Sequence, residues 1–179
     1  MSRAILYGKL PAHGDFVTRG LSHAERDRID DWLAGAMADA RAEHGDAFEE
    51  RYDAAPPWRF VTGKGDTDCA GALVPSVDGV GRRFPLLLGV MGAGESGAGV
   101  AGGCEDLLYQ AIGEGWDADR LAEAAAALPL DAEPRDGGDA VTAPCWWTLG
   151  GDAFDPAMLP QAWPDALVAV MLAPAGDGA

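Results

Sequence analysis

Two apolar segments in the middle of the chain constrain the fold more than any other feature. They read CAGALVPSV at residues 69–77 and FPLLLGVM at residues 84–91, and only the polar stretch DGVGRR separates them. Strands that are buried on both faces are typically continuous apolar runs. The two segments therefore predict neighbouring central strands. Pro75 and Pro85 qualify this prediction, because proline cannot donate to a ladder and usually lies at a strand start, edge or bulge.

Helical patterns lie on both sides of this central pair. Ser22 and Glu25 have the spacing of a capping box, and the apolar residues behind them recur every three or four positions, which predicts a helix over about residues 23–43. Asp117 is the candidate cap of a later helix. The remaining runs of strand length are AILYGKL, WRFVTG and APCWWTLGG, and WPDALVAVML is the candidate terminal helix.

This order of elements predicts an α/β protein whose mixed sheet is covered by helices on both faces. The 179 residues suffice for one core of ordinary size but not for two, so we expect a single domain over residues 1–179. By composition, the glycine-rich residues 92–103 are expected to form a flexible loop and residues 131–140 a polar surface connection.

The charge of the chain restricts its partners. The formal net charge is −16, and Arg82 and Arg83 are the only adjacent basic residues, so nucleic acid and anionic membrane surfaces are poor partners. A basic protein surface is a better one, although the acidity also has the simpler explanation that it keeps an alanine-rich protein soluble. No apolar segment reaches the 18 residues of a membrane span, so we expect no membrane insertion and a cytoplasmic location.

Neither a metal nor a cofactor is expected. The three cysteines include no C-x-x-C pair and the three histidines lack ligand spacing, so buried reduced thiols are expected. Residues 92–97 match the dinucleotide fingerprint G-x-G-x-x-G, but Glu95 would place a negative charge beside the pyrophosphate. The fingerprint stays as a minor alternative.

The stretch YGKLPAHGDFV brings Lys9, His13 and Asp15 close together in sequence. His13 and Asp15 have the chemistry of a base and its orienting partner, but no nucleophile is evident beside them. Gly14 favours a turn, in which an aspartate satisfies local backbone N–H groups, and a lysine at a strand end usually lies in water. We therefore interpret the stretch as a bend, without a catalytic residue.

The stretch PSVDGVGRRFP at residues 75–85 is the hardest to explain by packing alone. Ser76, Asp78 and Arg82 alternate with Val77 and glycines, so their polar groups can share one side of a bend while Val77 and Val80 point inward. One interpretation is a structural clasp in which Asp78 holds Arg82 by a charge-assisted bond. The other is a display site for a partner or a phosphate group, with Arg82 and Arg83 as the basic pair.

The tandem Trp146 and Trp147 must point to opposite faces of a strand. Both belong to the core if the sheet is covered on both sides. If one face is open, one of them is an anchor for another protein.

Four ordered blocks together resemble a known family. They are YGKLP-x-x-GDF at residues 7–16, WRF at 58–60, PSVD-x-VGR-x-FP at 75–85 and WW at 146–147. The chain is similar in these blocks to the TagF (ImpM) family associated with bacterial type VI secretion, over residues 5 to about 172. His13 falls at a freely chosen position of the first block, and Arg83 and Cys145 are modest departures.

The resemblance implies a three-layer α/β/α sandwich and a cytoplasmic accessory protein without enzymatic activity or cofactor. Such a protein restrains the secretion apparatus after translation by protein–protein binding, in a pathway that also uses a Thr kinase, a phosphatase and a forkhead-associated-domain scaffold. The expected partners are therefore type VI secretion components, with the scaffold first among them.

We expect the two bends to form one partner-binding surface at the strand ends. Its candidate residues are Lys9, Asp15, Ser76, Asp78, Arg82 and Arg83. The alternative is a small hydrolase or phosphate-handling enzyme that uses Lys9, His13, Asp15 and Arg82. That alternative requires these side chains to converge in one pocket.

Overall fold

The computed structural model describes residues 2–63, 68–93, 97–131, 133–134, 141 and 143–176. This part of the chain contains seven strands and five α-helices, which occur in groups of one to three, and a short 3-10 helix at Gly45–Ala47. In chain order they are β1 (Arg3–Lys9), β2 (Phe16–Arg19), α1 (His23–His44), α2 (Phe48–Ala54), β3 (Trp58–Val61), β4 (Cys69–Val74), β5 (Leu86–Met91), α3 (Gly97–Glu114), α4 (Ala118–Ala126), β6 (Cys145–Thr148), β7 (Ala157–Leu159) and α5 (Leu167–Met171).

The strands form one sheet in the order β2-β1-β5-β4-β3-β6-β7. The predicted central pair is confirmed, since β4 and β5 are neighbours from Cys69↔Met91 to Val74↔Leu86. Pro75 lies just outside β4, and Pro85 lies just before β5, so neither interrupts the ladder.

Every strand pair among the described residues is antiparallel, so the expected mixed sheet is wrong. A parallel pair between consecutive strands needs a crossover that returns to the neighbouring position. Here the two helical crossovers lead from β2 to β3 and from β5 to β6, and neither of these is a pair of neighbours. The other consecutive strands are joined without a helix and fold back on each other.

Side chains from alternating strand positions belong to two separate hydrophobic clusters. Ile5 and Tyr7 of β1 pack in the cluster that includes residues of α1, α2 and α5, whereas Leu6 packs in the cluster that includes residues of α3 and α4. Trp146 and Trp147 divide in the same way, and both are buried. The tryptophan pair is therefore core, as the first interpretation predicted, and not an exposed anchor.

Helix α1 confirms the capping-box prediction. The Ser22 hydroxyl accepts from the backbone N–H of Glu25, and the Glu25 carboxylate accepts from the backbone N–H of Ser22. Asp117 likewise caps α4 by accepting from the backbone N–H of Arg120. In the described part of the chain, no helix combines the length and the apolar character that crossing a bilayer requires.

Helix α3 corrects the expectation of a flexible loop over residues 92–103. The helix begins at Gly97, and its glycines allow close packing. A Cβ at Gly97 would lie 2.5 Å from Cγ1 of Val61 on β3, and one at Gly103 would lie 3.0 Å from the Leu128 side chain. The composition that suggests flexibility therefore reflects tight contact with the sheet and with neighbouring residues. The middle of the dinucleotide fingerprint, residues 94–96, lies outside the described residues.

We predict opposite effects for two glycine-to-alanine changes in helices. Gly97→Ala should destabilise the protein by about 1–3 kcal/mol, because the new methyl overlaps the stiff, buried Val61 side chain. Gly35→Ala, in the middle of α1 with nothing within 4 Å of its Cβ position, should stabilise it by about 0.5–1 kcal/mol. Urea denaturation measures both changes. Equal effects of the two substitutions would contradict the close packing of α3.

Candidate functional site

The two bends predicted as a joint surface lie side by side. We call residues 10–15, between β1 and β2, the first bend, and residues 75–85, between β4 and β5, the second bend. The backbone N–H of Gly79 donates to the carbonyl oxygen of His13 at 2.7 Å, and Arg82 Nη2 donates to that of Gly14 at 2.8 Å. A Cβ at Gly79 would lie 3.2 Å from the carbonyl oxygens of both Pro11 and His13, so this approach favours glycine.

The carboxylate of Asp78 lies at the centre of this junction and is buried. Its Oδ2 accepts from Lys9 Nζ at 3.0 Å and from Arg82 Nε at 2.7 Å. Its Oδ1 accepts from the backbone N–H groups of Val80 at 3.1 Å and of Arg82 at 2.9 Å. The predicted clasp between Asp78 and Arg82 is thus present, and Lys9 adds a contact from β1 that joins the two bends.

These contacts determine the charge state of Asp78. Burial by itself raises the pKa of a carboxyl group, because it disfavours the charged form. The backbone N–H of Arg82, the Lys9 ammonium, the backbone N–H of Val80 and the Arg82 guanidinium together outweigh burial and hold the pKa of Asp78 well below its usual range. Asp78 is therefore a carboxylate at neutral pH, which is the form that binds both cations.

Lys9 is buried, contrary to the expectation of a strand-end lysine in water. Its Nζ also lies 5.0 Å from the centroid of the Phe16 ring. That ring stacks on Tyr7 at 5.8 Å and meets Phe84 edge-to-face at 4.9 Å. The lysine therefore lies between a carboxylate and an aromatic face, both of which attract a cation.

The remaining second-bend residues attach the bend to helix α2. Arg83 binds Asp53 with Nη2 at 2.7 Å and approaches Glu49 with Nη1 at 3.2 Å. Ser76 is buried, its backbone N–H donates to the Tyr52 hydroxyl, and that hydroxyl donates to the Ser76 carbonyl. Arg83 and Ser76 thus hold the loop in place, and the two adjacent arginines are engaged by different carboxylates.

The histidine and aspartate of the first bend do not form a base and its partner. His13 Nε2 accepts from the backbone N–H of Ala118, the first residue of α4, at 3.0 Å. Asp15 accepts from the backbone N–H of Phe16 at 2.8 Å, which is the local role that the turn interpretation predicted. The side chains required by the hydrolase alternative are therefore brought together only in part, since Lys9 and Arg82 meet at Asp78.

The described residues offer no evident metal centre. No group of three or more His, Cys, Asp or Glu side chains in that part of the chain has the arrangement of a metal site. All three cysteines are free and buried, and burial is the main cause that raises the pKa of Cys69 to about 12. A thiol with this pKa remains protonated at neutral pH and is a poor ligand and nucleophile.

Around the junction, four side chains larger than that of alanine are exposed, from the two bends and the first residue of β2. Phe16 is 44% exposed and Val80 72% exposed, although both are apolar, and Asp15 and Arg82 are exposed beside them. We call these four residues the bend surface. Sequence reasoning missed Phe16, and its expectation that Val80 points inward is wrong. The signal available for Val80 was an apolar residue between two glycines in a polar loop.

Comparison with known proteins assigns the chain to a family. Residues 6–128, about two thirds of the chain, match the family described as TagF N-terminal domain, Type VI secretion system-associated. The chain belongs to this TagF family. Both bends fall within the matched residues, and the suspected resemblance is confirmed. No curated protein gives a significant match.

A solved structure supports the assigned fold of this TagF chain. The chain is similar to the crystal structure of PA0076 from Pseudomonas aeruginosa PAO1, with 27% sequence identity and a TM-score of 0.77. The similarity covers 98% of this chain and 96% of that one. The likeness therefore extends beyond residue 128 to nearly the whole chain.

We predict that Asp78→Asn destabilises the protein at pH 7, with a fall of several degrees in the melting temperature. The amide leaves the buried Lys9 without its counter-charge. Because the pKa of Asp78 is lower in the folded state than in the unfolded state, its stabilisation is complete above the unfolded pKa of about 3.9 and is lost as pH falls toward the folded value.

The difference in the free energy of unfolding between wild type and Asp78→Asn should therefore be largest near neutral pH and should decrease below about pH 4. Denaturation curves from pH 7 to strongly acidic pH measure it. Asp15→Asn is the matched control, since Asp15 is exposed and makes one local bond, and it should cost little stability at any pH. A constant difference across the pH range would show that the Asp78 charge does not hold the bends.

Proposed function

We propose that this TagF-family chain is a cytoplasmic, post-translational negative regulator of a type VI secretion system. In this proposal it restrains the apparatus by binding, with the bend surface, to a forkhead-associated-domain scaffold component. The observation that carries the proposal is the junction at Asp78, which fixes two loops from different strands while Phe16, Val80 and Arg82 remain exposed. Membership of the type VI secretion-associated family supports the choice of pathway.

The physical properties of the bend surface suit protein binding. An exposed aromatic ring, an aliphatic side chain and an arginine are residue types that protein interfaces bury, and aromatic residues and arginine frequently dominate the binding energy. The bonds from Gly79 and Arg82 to the first bend hold the loops before binding, which lowers the entropy that association costs.

The proposal favours binding over catalysis. The polar groups of the hydrolase alternative are already engaged by protein partners, because Lys9 and Arg82 contact Asp78 while His13 contacts α4. We also propose the three-layer α/β/α arrangement that the resemblance implies. Its support is that α1, α2 and α5 share one hydrophobic cluster with the sheet, and α3 and α4 share the other.

Val80→Asp should weaken binding to the purified scaffold protein by at least about tenfold, because it places a charge where the proposed interface buries an apolar side chain. Val80 is 72% exposed, so the substitution should leave the melting temperature nearly unchanged. Calorimetric titration with the scaffold measures the affinity, and a pull-down gives a second readout.

The matched control is Met158→Asp. Met158 is 61% exposed and lies on β7, at the opposite edge of the sheet from β2. The Met158→Asp variant should bind the scaffold with the affinity of the wild type. Normal binding by a folded Val80→Asp variant would remove the bend surface from the interface, whereas absence of binding by the wild type would remove the scaffold as the partner.

The regulatory part of the proposal is tested in cells. Deletion of the gene should raise secretion of a type VI substrate under non-inducing conditions, and wild-type protein should restore the low level. Val80→Asp should fail to restore it at equal abundance, whereas Met158→Asp should succeed. Unchanged or reduced secretion after deletion would contradict a negative role.

A further inference from the structure

A second candidate site lies between helix α1 and the sheet. It is a cavity of about 570 Å³. The start of β1, the end of β5 and the start of β4 meet there, since Arg3 pairs with Met91 and Met91 pairs with Cys69. The two bends lie at the other ends of these three strands. The cavity is therefore separate from the bend surface, and a ligand bound in it would be independent of the proposed function.

Helix α1 and the segment before α5 form the walls of the cavity. Ile29 and Trp32 of α1 line it, and so does Trp163 of the segment before α5. The Trp32 and Trp163 rings meet edge-to-face at 5.2 Å. Trp32 Nε1 also donates to the carbonyl oxygen of Pro164 at 3.1 Å, which fixes the second wall against the helix. The cavity is thus formed without a ligand, and Trp163 remains 47% exposed at its edge.

Four charged side chains also line the cavity. Arg3 and Glu25 bind each other at 3.0 Å and neutralise their charges. Arg28 and Asp165 behave differently: within the described residues, neither makes an ion pair or a hydrogen bond. Arg28 follows Glu25 by three residues and precedes Trp32 by four, so the three lie on one face of α1. Both residues are exposed, so the largely apolar cavity is lined by one hydrated cation and one hydrated anion that, in the described part of the chain, lack protein partners.

We propose that this cavity binds a small zwitterion with an apolar body, of the class of an apolar dipeptide, with the ligand carboxylate on Arg28 and the ligand ammonium on Asp165. Ligand sites are typically cavities of roughly 300–1,000 Å³ with mostly apolar walls and a few polar groups that fix orientation. A ligand with one charge could pair with only one of these two exposed side chains, whereas the other would stay hydrated. The zwitterion matches both charges, and its apolar body contacts Trp32 and Trp163.

Three related peptides test the proposal by calorimetric titration. They are leucyl-phenylalanine, its N-acetyl derivative without the ammonium and its C-terminal amide without the carboxylate. The free dipeptide should bind saturably in the millimolar range or tighter, and each derivative should bind about 2- to 5-fold more weakly, as expected for the loss of one solvent-accessible ion pair. Tryptophan fluorescence should change on binding, and Trp163→Phe should reduce that change while binding persists.

Substitutions at the two charges assign the orientation. Arg28→Gln should weaken binding of the free dipeptide about as much as amidation of the dipeptide does. It should not further weaken binding of the amide. Asp165→Asn should behave in the same way toward the acetyl derivative. Arg26→Gln is the matched control, because Arg26 is on the same helix but pairs with Asp27, and it should bind like wild type.

Circular dichroism melting confirms that each variant is folded. Absence of saturable binding by the free dipeptide would overturn the proposal. Equal affinity of wild type for all three peptides would also overturn it, because neither charge would then contribute. An equal loss of dipeptide affinity in Arg28→Gln and Arg26→Gln would show a non-specific charge effect, and the assigned orientation would be wrong.

Discussion

The buried carboxylate of Asp78 is the constraint on which the rest of the site depends. A carboxylate without partners in that position would be strongly unfavourable, so the chain must supply donors from several segments. It supplies Lys9 from β1 and, from the second bend itself, the Arg82 side chain and two backbone N–H groups. Because β1 pairs with β5, these donors can meet only when the antiparallel sheet is in its correct register. The charge therefore links the loops to the topology of the sheet.

Local sequence patterns predicted those elements whose structure depends on neighbours in the chain. Helix α1 has its capping box and its apolar spacing within one segment, and the pairing of β4 with β5 follows from two apolar runs and a short connection. The antiparallel character of the whole sheet was not predicted. It depends on where the two helical crossovers end, and no segment contains that information by itself.

The site shows the same division between local and distant contacts. The bond between Asp78 and Arg82 joins residues four positions apart and was predicted as a clasp, whereas the bond between Lys9 and Asp78 joins residues that are far apart in the sequence. A lysine at the end of an apolar run can be exposed or buried with a partner, and only the tertiary structure distinguishes these placements. The glycines of α3 were misjudged for a related reason, since Gly97 is required by a distant valine.

The bend surface and the cavity lie at opposite ends of β1, at Lys9 and Arg3, which the rise of a strand places roughly 20 Å apart. Helix α1 is in contact with both regions, because Asp30 accepts from the Tyr7 hydroxyl near the bends while Arg28 and Trp32 line the cavity. Coupling between two such sites requires an element with two alternative arrangements. A capped 22-residue helix packed on the sheet offers one arrangement here, so occupancy of the cavity should leave the bend surface unchanged.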